Sequence, residues 1–264
     1  MSTVRGWRPA RAYLICGTPG SGVDLLREAL TSTGVTGFPN QFRVPLSDGR
    51  ALEEQHDELQ RMLERSLEQG ATPNGVFGAT IFLSDLQQLV AQLRSRTGKA
   101  DAARSPFELL RAFLPRLRLI RLTRRDRLAQ AVYRLRAEQT QRWPTRLNDD
   151  DTGSRVRLSE GLIRRTFATV TDEENAWDAF LACWPEPLIE VRYEDLVTRD
   201  QQTIRSVTAQ LETRAPDRLT LETRPSIPPV DEVAERWIAR MRSTARMATH
   251  RTTHRPSRAK ARTR

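Results

Sequence analysis

Lysine is almost missing from this chain: of 43 basic residues only Lys99 and Lys260 are lysines, and the rest are arginine. A phosphate-binding loop that relies on a lysine therefore has none to use before position 99. Cysteine is as scarce. Cys16 and Cys183 cannot build a disulfide framework; they read as two buried free thiols of a reducing compartment, with a single bridge as the alternative. The three histidines, His56, His250 and His254, are too scattered for a zinc site or a catalytic triad. His56 shares a helical face with Leu52, Leu59 and Leu63 and reads as a partly buried structural residue. No run of 18 apolar residues occurs, which excludes a membrane-spanning helix. The N-terminal stretch MSTVRGWRPARA has no apolar core of a secretory leader, so the expected setting is cytoplasmic.

Positive charge is what the chain has in excess, a net +10. It is not spread evenly. The last 20 residues carry seven Arg and Lys and no acid, and without them the net charge falls to +3. A nucleic-acid-binding domain is therefore not implied. The expected partition is one domain over residues 1–245 and a solvated, disordered basic tail over 246–264. The acidic triplet Asp149 to Asp151 reads as a solvated loop.

Between the ends, apolar strands alternate with helical patterns. Strands are expected at 12–16, 76–82 and 116–122, and in PLIEVRYEDL, where the strand runs on to Tyr-Glu-Asp-Leu. Helices are expected near 23–32, 50–69, 84–95, 105–114, 126–143, 158–184, 200–211 and 230–245. Ser105, Pro106 and Glu108 spell a capping box at the start of one of them. Residues 34–49, rich in glycine and proline, read as loop. Such alternation argues an α/β fold: a three-layer sandwich with a central, mostly parallel sheet flanked by helices, of the P-loop type.

The stretch YLICGTPGSGVDLL carries the first chemical signal. A strand, a glycine-rich turn and a helix start present backbone N–H groups to an anion. Gly17 and Gly22 have Walker A spacing, but the Lys and Ser/Thr that should follow are Val23 and Asp24. Without the lysine and the magnesium-binding hydroxyl, an ATPase or GTPase is excluded as the leading reading, and no metal site is expected. A tight strand-to-helix turn without a ligand is the plain alternative.

Further motifs follow in order: TPNGVFG, then RRDRLAQAVYRLRAEQTQRW, then WDAFLACWPEPLIEVRYEDL. With the loop they resemble the bacterial trehalose 2-sulfotransferase family, over about residues 12–245. The resemblance implies a metal-free transfer of a sulfuryl group from 3′-phosphoadenosine 5′-phosphosulfate to a hydroxyl of a carbohydrate or glycosylated small molecule. It implies that Thr18, Pro19, Gly20, Ser21, Gly22, Val23 and Asp24 embrace the phosphosulfate, and that Arg124 and the residue at Tyr133 hold the 3′-phosphate. A guanidinium suits a dianionic phosphate because it donates two parallel hydrogen bonds. Homodimers occur in the family.

Several departures fall on these same positions. The family's loop arginine is Gly20, the serine after QAV is Tyr133, and the lysine after TPNG is replaced by Thr80. The glutamate proposed as general base is Gln41, whose amide cannot take a proton from a hydroxyl near neutral pH. Two readings follow: a sulfotransferase with rearranged catalytic groups, or a degenerate relative that uses the same fold as a binding or interaction module. WDAFLACW reads as a core-facing helix rather than a sugar platform.

Overall fold

A computed structural model describes residues 9–44, 52–96, 103–114, 116–141, 143, 156–214, 216 and 232–253. Five short strands run through the centre: β1 (Arg11–Cys16), β2 (Asn40–Gln41), β3 (Val76–Ile81), β4 (Leu117–Thr123) and β5 (Ile189–Arg192). They lie in the order β2-β3-β1-β4-β5, and each ladder is parallel. The first strand is thus central, with β3 on one side and β4 on the other. This is the switch point where open parallel sheets place their ligand crevice, outside the carboxyl ends of the strands.

Alternation along β1 explains the layers. Ala12, Leu14 and Cys16 point to one face, Tyr13 and Ile15 to the other. The first face is covered by α2 (Leu52–Gly70), α3 (Leu83–Arg96), α4 (Pro106–Phe113) and α6 (Glu160–Leu181), through Leu59, Leu63, Leu86, Leu110 and Trp177. The second is covered by α1 (Val23–Thr31), α7 (Tyr193–Thr198) and α8 (Asp200–Gln210), through Leu26, Leu30, Leu196, Ile204 and Val207. Both faces being buried is why the strands read as nearly continuous apolar runs. The capping box at Ser105 forms as its sequence implies, with reciprocal bonds between Ser105 and Glu108.

A smaller cluster joins α5 (Arg127–Thr140), α6 and α9 (Glu232–Thr253). Ala234, Ile238 and Met241, spaced four and three apart, pack there with Val132, Leu135 and Ile163. The backbone of α9 continues to Thr253, eight residues into the segment read as tail; residues 254–264, His254 among them, lie outside the described residues. So do Asp48 and Asp149 to Asp151, and the side chains of Leu52, Glu53, His56 and His250.

Three expectations are corrected. The glycine- and proline-rich segment 34–49 contains strand β2, held at the sheet edge by pairing of Asn40 with Ala79 and Gln41 with Thr80. Tyr-Glu-Asp-Leu does not end a strand but opens α7, because two acids in its first turn complement a helix N-terminus. Cys183 is exposed; only Cys16 is buried, and burial pushes its thiol up to about 12. No described helix is long and apolar enough to cross a membrane.

Candidate active site

The loop after β1 closes on itself through the Ser21 amide, which donates to the Thr18 carbonyl at 3.0 Å. Gly20 and Gly22 carry φ of 83° and 99°, values that a side chain would strain. Gly22 then starts α1 without a side-chain cap. The N–H groups of the first turn are therefore not taken by a capping side chain, and the helix dipole adds a fractional positive charge there. Beside this helix start lies a cavity of about 410 Å³.

Of the residues singled out from sequence, Pro19, Gly20, Gly22, Val23, Asp24 and Gln41 line the cavity, together with Arg124 and Tyr133. Thr18 and Ser21 do not; both are buried and turn into the protein. Gln41 sits on the edge strand, exposed, and accepts from the Arg43 guanidinium at 3.3 Å. Thr80 is on the wall too, with its hydroxyl donating to the Pro39 carbonyl at 2.9 Å. That bond ties the strand bearing Gln41 to its neighbour.

Gly20 and Tyr133 form one structural unit. A Cβ on Gly20 would meet the Tyr133 ring at 3.2 Å. The tyrosine fills the space that a side chain from position 20 would need, so the two departures from the family pattern come together. Trp143 meets Tyr133 edge-on at 6.0 Å and extends this aromatic wall.

Arg124 is buried and donates to the Gly20 carbonyl at 3.2 Å. Its guanidinium carbon stands 4.2 Å above the Tyr193 ring. One of five donors is thus spent on the loop while the ring holds the plane. Tyr193 also lines the cavity, and burial raises its phenol above the ordinary range. Gly22 lets the ring lie this close, because a Cβ there would stand 2.5 Å from it.

Two more arginines reach the same wall, Arg27 and Arg43, alongside the carboxylates of Asp24 and Glu28. Asp24 pairs with Arg27 at 3.4 Å across one helical turn. The Asp24 charge is thereby offset by a neighbour three residues on. Arg27 and Arg43 were not singled out from sequence. The i,i+3 spacing from Asp24 was the legible sign of the first; nothing in the sequence marked the second among so many arginines.

Behind the loop runs a buried polar chain that sequence reasoning missed altogether. Gln130 Nε2 donates to Thr18 Oγ1 at 2.6 Å and to the Pro19 carbonyl at 3.2 Å. Thr18 Oγ1 donates in turn to Glu174 at 2.6 Å, and the other Glu174 oxygen accepts from Arg121 at 2.8 Å. Trp177 Nε1 donates to the Gly17 carbonyl at 3.2 Å. Three elements, β4, α5 and α6, therefore fix the loop from the inside through linked hydrogen bonds. Among the described residues, no three His, Cys, Asp or Glu side chains stand together as a metal site.

The arrangement suits a phosphorylated, anionic ligand: an uncapped helix start, three arginines and an aromatic wall around one cavity. The chain is 30% identical to a trehalose 2-sulfotransferase of Mycobacterium tuberculosis (strain Erdman) over 203 residues, 66% of this chain and 74% of that one. It is 25% identical to a trehalose 2-sulfotransferase of Mycolicibacterium smegmatis over 266 residues, 89% and 95% of the two chains. Among solved structures, a sulfotransferase domain from the curacin biosynthetic pathway aligns with a TM-score of 0.46 at 15% identity, covering 86% of this chain and 82% of that one. The model of the Stf0 sulphotransferase family matches residues 12–244, and the chain belongs to that family of sulfotransferases.

Proposed function

We propose that the cavity binds 3′-phosphoadenosine 5′-phosphosulfate and that the chain moves its sulfuryl group to a hydroxyl of a sugar-containing small molecule. The trehalose specificity named for both relatives makes trehalose the first acceptor to try. The observation that carries this reading is Arg124, buried, stacked on Tyr193 and bonded to the loop it would serve.

In this reading the phosphosulfate lies against the start of α1, where backbone amides and Arg27 and Arg43 face the charge that grows on the leaving phosphate oxygen. Arg124 takes the 3′-phosphate. The acceptor oxygen bonds to sulfur as the bond from sulfur to the 5′-phosphate oxygen breaks, and 3′-phosphoadenosine 5′-phosphate leaves. The acceptor's proton cannot go to the Gln41 amide, and its removal falls to the wall carboxylates Asp24 and Glu28. The replacement of the family's loop arginine and lysine is met by cations from other positions of the same wall, which favours an active transferase over a binding module. The cytoplasmic setting read from the sequence and a homodimer belong to the same proposal.

Calorimetric titration with 3′-phosphoadenosine 5′-phosphate, with ATP as control, tests the donor half. Micromolar binding of the first, lost in Arg124→Ala, is the expected result; no binding of either compound overturns it. Sulfate transfer from the labelled donor to trehalose and to a panel of glycosides tests the acceptor half.

A further inference from the structure

The end of the sheet opposite the loop holds a second cavity, of about 430 Å³. Four arginines line it: Arg11 at the start of β1, Arg111 on α4, Arg116 just before β4 and Arg118 within it. Two glutamates share the wall. Glu212 pairs with Arg11 at 3.3 Å and Glu186 with Arg111 at 2.8 Å. Each acid is matched by one arginine, so Arg116 and Arg118 are left as excess positive charge. Both matched pairs are substantially exposed, and such pairs hold their partners weakly.

Arg118 is the telling residue. It lies on the strand face that continues as Ile120 and Leu122, where the pattern calls for an apolar side chain. Its Nε is sealed from solvent and has no hydrogen-bond acceptor. A buried donor left unmade is costly, and turning the Arg118 side chain toward the cavity would let an anionic oxygen accept from its guanidinium. Three non-glycine residues with positive φ are found among the described residues, and two of them, Arg116 at 51° and Glu212 at 53°, line this cavity. Arg116 precedes β4, and Glu212 follows the C-cap of α8, where a left-handed residue commonly stops a helix.

We propose that this cavity is a second anion site, remote from the active-site loop, that takes a phosphate-bearing small molecule. Its volume is in the range of pockets that enclose small ligands, about 300–1,000 Å³. Guanidinium groups brought by three elements fit a phosphate better than a carboxylate, since more oxygens are available to accept. The inference stands apart from the donor-site reading.

Inorganic pyrophosphate is the probe. Calorimetry of the wild-type protein should show binding that survives saturation with 3′-phosphoadenosine 5′-phosphate. Arg118→Ala should weaken that binding by about tenfold or more, and Arg116→Ala should weaken it as well. Arg118 makes no bond whose loss would unfold the chain, so its alanine variant keeps or raises the melting temperature without ligand. Pyrophosphate should raise the melting temperature of the wild type and not of Arg118→Ala. Absence of pyrophosphate binding beside the saturated nucleotide, or binding indifferent to both substitutions, overturns the proposal. If the nucleotide itself fails to bind, the donor-site reading falls, and the pyrophosphate comparison of wild type with Arg118→Ala still decides this one.

Discussion

Thr18 and Glu174, 156 residues apart in the chain, are joined by a buried hydrogen bond of 2.6 Å. The second oxygen of Glu174 holds Arg121, itself almost fully buried. The loop that faces the cavity is therefore fastened to α6 through a charged group that cannot be removed cleanly. Glu174→Ala leaves the Arg121 charge with the exposed Asp178 at 3.4 Å, beside the Leu122 carbonyl and the Trp177 ring. Breaking a buried pair costs about 3–5 kcal/mol, and the lower end applies because Asp178 remains. Chemical denaturation should show a loss of that size, with nucleotide binding weakened in the fraction that stays folded.

Arg124 and Tyr193 allow a finer test. Arg124→Ala should cost a charge-assisted contact, about 1.5–3 kcal/mol of 3′-phosphoadenosine 5′-phosphate affinity. Tyr193→Phe keeps the ring under the guanidinium and should leave affinity nearly unchanged. Tyr193→Leu removes the ring and should cost about 0.5–2 kcal/mol. Equal effects of the two tyrosine substitutions would show that the ring does not orient the arginine.

The layers of the fold were legible because both faces of the sheet are buried, which leaves long apolar runs that alternate with helical spacing. Strand β2 was not, since Asn40 and Gln41 are exposed and carry no apolar pattern, and their place in the sheet comes from backbone pairing. The loop, Arg124 and Gln41 were legible from motif order. The chain from Gln130 through Thr18 and Glu174 to Arg121 was not, because its members lie on three elements and each looks ordinary in place. Arg121 reads as an interruption of RLRLIRLT, and Glu174 as one acid among several on an acidic helix. Polar networks have no period, so only the fold brings them together.

Gly22 carries two constraints at once, a φ of 99° and the Tyr193 ring 2.5 Å from where a Cβ would stand. Gly22→Ala should destabilise the chain by more than about 1 kcal/mol. Adding Tyr193→Ala should recover part of that loss by removing the clash and leaving the backbone strain. A double-mutant cycle by denaturation measures the coupling. Strict additivity would mean that the ring and the loop do not press on each other.

The C-terminal helix separates into a docked half and a continuation. Ala234, Ile238 and Met241 are buried against α5 and α6. Deleting residues 246–264 leaves these contacts in place and should shift the melting temperature little. Ile238→Ala should cost about 2–5 kcal/mol, the range for emptying a buried aliphatic site. A large fall in melting temperature on deletion would show that the continuation of α9 is part of the domain.

The sharpest chemical prediction concerns the missing base. Gln41 accepts a bond from Arg43 and offers no site for a proton. The carboxylates on the same wall are Asp24 and Glu28. Neutralising both, as Asp24→Asn with Glu28→Gln, removes two negative charges from a cavity meant for an anion. Nucleotide affinity should therefore hold or rise. If these groups take the acceptor's proton, kcat should fall by about 10²–10⁴ in the same variant, the usual worth of a general base. Gln41→Glu in that background should restore part of the rate, because it returns a carboxylate to the edge strand beside Arg43. A rate unchanged by the double substitution would place proton removal outside the cavity wall, with solvent as the acceptor.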